Sequence, residues 1–325
     1  MEKFSTAAVL LFAVQLASPA PAQESKLDPL IISYPAANAV QWNLDVALDE
    51  GFFRAEGFAG EPITFQSAPQ SIQLLISGAA HVAAVQPEAL VAAAARGASD
   101  LAAIAQPMWR PDWMIIVRPD IKSWVDLRGK TLGFSALRIA EFWLTQKLLA
   151  EHGVAKGEWD AIQVGPTPAK FAALQKGSIA GAVLFEPSAQ EAIKLGLSSL
   201  STFSALGNYT PILLLANRSW AAQDQHGLRF ARALTRAHQW LFDPANESEA
   251  IAILQKYTKT SADIAAHVYR SFFVTDKIYK PDPGIDLAGL RRVTATMVAV
   301  GEIPADKIPA PEQLVLPKES GGLMQ

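Results

Sequence analysis

The chain has 325 residues, with 28 Lys+Arg against 31 Asp+Glu, a formal charge of -3, 50% hydrophobic and 18% charged residues. Those proportions exclude disordered, collagen-like and coiled-coil chains, and a charge so near zero offers no phosphate-neutralising surface, so no nucleic-acid partner is expected. Cysteine is absent, which removes disulfides, thiolate metal sites, cysteine nucleophiles and thiol-linked lipid anchors.

Residues 1–22 carry Lys3, an apolar run over 7–16 and the small-x-small triplet Ala20-Pro21-Ala22. That run is shorter than the ~20 residues a spanning helix needs, so it predicts an export signal cleaved near Ala22 and a soluble periplasmic product. The remaining length fits two domains at about 150 residues each.

Downstream, short apolar runs at 29–34, 63–65, 81–85 and 101–105 read as strands. Between them lie helices at 42–53, closed by Gly51, at 70–77, stopped by Gly78, and at 88–96, closed by Gly97. Strands alternating with helices every 20 to 30 residues predict an α/β fold with mainly parallel sheets covered on both faces. Pro107, Trp109, Arg110, Pro111 and Trp113 interrupt that rhythm, which places a crossing into a second domain there. A new series follows: strands at 114–117, 131–134, 161–164, 182–184 and 212–215, with helices at 139–152, 168–176 and 188–195. Within the first of these helices Ile139, Phe142, Trp143, Gln146 and Leu149 form a helical stripe. From Asp224 onward the chain reads as mostly helical, with Phe230, Leu234, Ala237 and Leu241 on one face. The resulting division is a first lobe at 28–111, a second at 112–220, and a helical return to the first at 221–325. Two passages between the lobes make a hinge and a cleft.

Catalytic signatures are not visible. The five histidines (His81, His152, His226, His238 and His267) show no i, i+3 or i+4 metal pair, and His81 reads as structural. Gly133-Phe134-Ser135-Ala136-Leu137 has the outline of a nucleophile elbow but Leu137 stands at the second glycine position. No phosphate-binding glycine loop occurs, and no cofactor or metal is expected. Ligands of open α/β sheets sit beyond the carboxyl ends of the strands, where helix N-termini present free N–H groups. The candidates there are Asn38, Trp42, Gln70, Ser71, Gln86, Glu88, Trp109 and Arg110 from the first lobe and the crossing, and Ser135, Arg138, Thr167 and Glu186 from the second.

Three ordered segments carry a resemblance: Val46-Ala47-Leu48-Asp49-Glu50-Gly51-Phe52-Phe53-Arg54-Ala55-Glu56-Gly57-Phe58, then residues 121–133 with Asp126-Leu127-Arg128-Gly129-Lys130, then residues 171–182 ahead of Pro187. They resemble the substrate-binding proteins of ABC importers in the sulfonate, taurine, nitrate and thiamine-precursor group, which have the two-lobe type II fold. The resemblance implies a monomeric receptor that closes on a small-molecule solute and delivers it to a membrane permease and its ATPase at the inner membrane. Arg138 at a helix start and Arg110 beside Trp109 are candidate anion grips, and Trp42, Trp109 and Phe185 are candidate aromatic walls. They point to a small organic anion, a sulfonate or aromatic carboxylate. Glu88 and Glu186 leave open an amine-bearing solute or an uncharged heterocycle such as a pyrimidine thiamine precursor or a flavin. Two further alternatives are a solute sensor without transport and an enzyme resembling the thiamine pyrimidine synthase, whose cysteine-rich motif is missing from this chain.

Overall fold

The computed structural model describes residues 26–35, 38–65, 67–137, 139–203 and 209–324. The expected export signal at 1–22 and Arg138 lie outside the described residues.

The first lobe runs β1 (Asp28–Pro35), α1 (Trp42–Asp49), α2 (Phe52–Ala55), β2 (Phe58–Phe65), α3 (Ala68–Ile76), β3 (Val82–Val85), α4 (Pro87–Ala95) and β4 (Leu101–Ala105). The helix expected over 42–53 is two pieces, because Gly51 takes φ +69° and turns the chain between them. The second lobe runs β5 (Met114–Val117), β6 (Thr131–Phe134), α5 (Ala140–Glu151), β7 (Asp160–Gln163), α6 (Thr167–Gln175), β8 (Gly181–Leu184), α7 (Ser188–Lys194) and β9 (Ser198–Thr202). The chain then returns through β10 (Leu213–Asn217), α8 (Arg218–Ala222), α9 (His226–Phe242), α10 (Glu247–Thr258), α11 (Ala262–Tyr269) and α12 (Leu287–Ala299).

Two five-stranded sheets result, ordered β2-β1-β3-β10-β4 and β7-β6-β8-β5-β9. In each, four strands are co-directional and one runs against its two neighbours: β10 between β3 and β4, β5 between β8 and β9. The reversed strand is in both cases the one that follows a crossing. Co-directional strands end at the cleft edge, where the crossing also arrives, so the incoming strand starts where its neighbours finish and must run the other way. The sheets are therefore mixed. Leu213–Asn217 belongs to the first sheet, so the second lobe ends near Thr202 and not at 220. Its apolar run suits a buried strand of either sheet, and periodicity does not say which.

Strands β3, β4 and β8 are buried at every position, as continuous apolar runs flanked by helices require. Strand β9, unmarked in the sequence pattern, is a polar edge strand, SSLST, with no fully buried position. The face of α9 expected from Phe230, Leu234, Ala237 and Leu241 is buried throughout. The two crossings are bonded to one another through Tyr209 N–H to the Trp109 carbonyl (2.9 Å) and Phe203 N–H to the Trp113 carbonyl (2.9 Å). The first is also tied to the C-terminal region, Gln106 N–H donating to the Pro283 carbonyl at 2.8 Å.

Candidate functional site

A cavity of about 860 Å³ opens between the two sheets. Its inner lining comes from the loops that follow strands: Asn38 after β1, Ser67 after β2, Gln86 and Glu88 after β3, Ser135 after β6, Thr167 after β7 and Phe185 after β8. Both lobes contribute, so the cavity is complete only when they face each other.

Helix starts shape this end. Ser67 caps α3, its Oγ accepting from Gln70 N–H at 3.4 Å, and Asn38 Oδ1 accepts from Val40 N–H at 3.0 Å. Pro87 and Pro168 sit in the first turns of α4 and α6, where the missing N–H costs nothing. The N-termini of α3, α4 and α6 therefore converge on the cavity with their partial positive charge.

Behind Ser135 lies a buried ion pair that sequence reasoning missed. Lys170 Nζ donates to Glu141 Oε1 at 2.7 Å and to Ser135 Oγ at 3.0 Å, and lies 5.2 Å from the centre of the Phe185 ring. Burial depresses the Lys170 pKa, and the Glu141 carboxylate opposes that shift. Because Ser135 Oγ already accepts from Lys170, the serine's own O–H is left to donate elsewhere. The signal for Lys170 is only a lysine on an otherwise apolar helix face, which a snorkelling surface lysine also produces.

Glu88 joins the lobes. Its Oε1 accepts from Ala140 N–H at the start of α5 (3.2 Å) and from the Tyr209 hydroxyl (2.8 Å), while Oε2 has no hydrogen-bond partner. Burial raises its pKa above the usual carboxylate range. A second inter-lobe bond runs from Ala39 N–H to the Glu186 carbonyl at 2.9 Å.

Of the twelve sequence candidates, Asn38, Gln86, Glu88, Ser135 and Thr167 line the cavity. Trp42 does not: it is fully buried, its Nε1 donates to the Ala250 carbonyl at 3.1 Å, and its ring packs on Tyr269 and Phe273. Ser71 is bonded to Ser33 inside the first lobe, and Gln70 lies on the outer side of α3. Trp109 and Arg110 anchor the crossing, donating to the Lys277 and Asp276 carbonyls at 2.7 and 3.0 Å, and are absent from the cavity wall. Glu186 is buried with its carboxylate on Gln190; of the aromatic walls expected from Trp42, Trp109 and Phe185, Phe185 lines the cavity. His81 is structural, its Nδ1 accepting from Ile31 N–H at 2.8 Å.

Outward from Glu88 the cavity continues along the first lobe between α3, α4 and α12, past Ile72, Ala89, Ala92, Ala95, Met297 and Ile303, to exposed Arg96 and Lys307.

Comparison with known proteins follows the same outline. A family model described as "NMT1/THI5 like" matches residues 38–248. Among solved structures, the ligand-binding component of an ABC-type import system from Staphylococcus aureus is similar at TM-score 0.76 and 16% identity, over 91% of this chain and 99% of that one. The nitrate-binding protein of Synechocystis gives 0.74 and 14%, over 89% and 87%. The alkanesulfonate-binding protein of Xanthomonas axonopodis pv. citri, bound to MOPS, gives 0.71 and 18%, over 89% and 98%. At these identities the likeness is one of fold. No curated protein sequence gives a significant match.

Proposed function

We propose, from the premise that this chain belongs to the NMT1/THI5-like family, that it is the periplasmic solute-binding component of an ABC importer. It captures a small organic anion between its lobes and hands it to a membrane permease and its ATPase. The observation that carries this reading is the inter-lobe cavity lined from both sides by loops at strand ends. The sulfonate, nitrate and import-system names of the similar structures support the same class.

The anionic head is read from the donors. Ser135 has a hydroxyl hydrogen aimed away from Lys170, Asn38 and Gln86 bring amides, Thr167 a hydroxyl, and three helix N-termini point inward. Closure stabilises the complex by the difference in solute affinity between closed and open forms. Burial raises the Glu88 pKa, and protonation of its unpartnered Oε2 would make that oxygen a donor, which links anion binding to proton uptake there.

A thermal-shift screen of the exported chain against sulfonates and aromatic carboxylates tests this, since a solute at 100 times its Kd adds about 2.7 kcal/mol. The unpartnered Oε2 of Glu88 favours one second reading, an uncharged N–H-bearing heterocycle held by the ionised carboxylate. The two differ in sign: affinity for an anion strengthens as pH falls toward Glu88 protonation, whereas affinity for an N–H donor weakens.

A further inference from the structure

Ala39 opens the short helical turn Ala39–Gln41, and the first N–H groups of such a turn have no acceptor inside it. The Ala39 N–H instead reaches the other lobe, at the Glu186 carbonyl 2.9 Å away. Each end of this bond adjoins a residue of the cavity wall, Asn38 on the first lobe and Phe185 on the second. Both ends are also held from the hinge.

Tyr279 holds the first-lobe end. Its segment lies along the first crossing: Lys280 N–H donates to the Pro107 carbonyl at 3.1 Å and Trp109 N–H to the Ile278 carbonyl at 3.2 Å, with Met108 and Tyr279 in an antiparallel bridge between them. The Tyr279 ring is fully buried among His238, Phe272 and Phe273. Its hydroxyl donates to the Val40 carbonyl at 2.9 Å, with the Ala39 carbonyl at 3.3 Å, and so fixes the turn that aims the Ala39 N–H. Asp112 holds the second-lobe end. Met114 of β5 pairs with Leu184 of β8 in an antiparallel ladder, so two residues back on one strand and two residues on along the other set Asp112 opposite Glu186. There a side chain continues the ladder, Asp112 Oδ2 accepting from the Glu186 N–H at 3.1 Å. Asp112 and Tyr279 are both buried, and neither lines the cavity.

We propose that Asp112 and Tyr279 are positioning residues for solute capture, which transmit the geometry of the hinge to the two cavity walls through the Ala39–Glu186 bond. Their effect on capture rests on the proposed function; their effect on the bond does not. A wall fixed before the solute arrives has less ordering left to do on binding.

Amide exchange of the exported chain, read residue by residue by NMR, tests the relay without a solute. In Tyr279→Phe, which keeps the buried ring, and in Asp112→Ala, the Ala39 amide should exchange about tenfold faster, the effect of losing one hydrogen bond. The Leu234 amide in the core of α9 should keep its parental rate. Asp112→Asn retains an oxygen that accepts from the Glu186 N–H and should restore the parental rate at Ala39. The double variant Tyr279→Phe, Asp112→Ala should fall short of the product of the two single effects, because both act on one bond. Unchanged exchange at Ala39 in both single variants, or equal acceleration at Ala39 and Leu234, would overturn the relay. Calorimetric titration with butanesulfonate tests the consequence: affinity should drop about tenfold in Asp112→Ala and return in Asp112→Asn. Equal affinity in parent and Asp112→Ala would overturn the role in capture. A folded parent that binds no butanesulfonate would count against the anion reading of the proposed function, while exchange at Ala39 still decides the relay.

Discussion

Glu88 on α4 of the first lobe accepts a hydrogen bond from the Ala140 N–H that opens α5 of the second lobe, 3.2 Å away. A carboxylate at the start of a helix is favourable on its own account; here helix and carboxylate lie on different lobes, so the bond ties one lobe to the other. The same oxygen takes the Tyr209 hydroxyl from the second crossing, which joins the latch to the hinge.

Removing that latch should open the molecule. Glu88→Ala leaves the Ala140 N–H and the Tyr209 hydroxyl without their acceptor, at about 1–3 kcal/mol for each group left buried. A lower Tm and a larger radius of gyration in small-angle scattering are expected. Glu88→Gln, which keeps an amide oxygen as acceptor, should lose less. Equal scattering curves for Glu88→Ala and the parent would show that the bond does not hold the lobes.

Lys170 and Glu141 are both fully buried, so deleting one strands the other. Lys170→Met should cost about 3–5 kcal/mol, and the double variant Lys170→Met, Glu141→Leu should recover much of it. Solute affinity should not recover with stability, because Ser135 has lost the donor that occupies its oxygen and leaves its own O–H to donate elsewhere. Denaturant melts and titrations on the same two variants separate these effects.

The contribution of Asp112 and Glu186 to stability should fall as pH rises from about 4 to 8, against an opposite contribution from buried His238, lowered to about 4, at the acid end of that window. Burial pushes Asp112 up to about 7 and Glu186 up to about 8, so across that window the folded chain holds protons that the unfolded chain has released, and stability declines with pH. Asp112 Oδ2 accepts from Glu186 N–H at 3.1 Å, so both groups sit where the first crossing meets the second lobe. Asp112→Asn and Glu186→Gln should flatten the decline, each raising Tm at pH 8 relative to the parent. A parent Tm that climbs from pH 5 to pH 8 would contradict this.

Much of the scaffold was legible in the sequence because buried parallel strands are plain apolar runs; β3, β4 and β8 stand where the pattern put them. Strand β9 escaped because a polar edge strand resembles a loop, and β10 was placed in the wrong lobe because its neighbours lie more than 100 residues away in sequence. At the candidate site, loop position puts Asn38, Gln86, Glu88, Ser135 and Thr167 on the cavity wall, since the residues after parallel strands face the cleft whatever their type. Residue type misled: Trp42 and Arg110 look like a wall and a grip, but the direction of a helix face and the path of the crossing decided their places.

Trp42 offers a check on that correction. As a core residue on Tyr269 and Phe273, Trp42→Ala should cost about 3–5 kcal/mol, while Trp42→Phe should fold and bind solute with unchanged affinity. Weakened binding in a stable Trp42→Phe protein would return the residue to the cleft.

Titration of one sulfonate into Gln86→Ala, Ser135→Ala and the double variant tests most directly whether both lobes grip the solute. Gln86 belongs to the first lobe and Ser135 to the second; each loss of a donor should weaken binding about 5- to 30-fold, with a fold unchanged by circular dichroism. Binding that survives both substitutions at parental strength would mean that the solute is not held between the lobes.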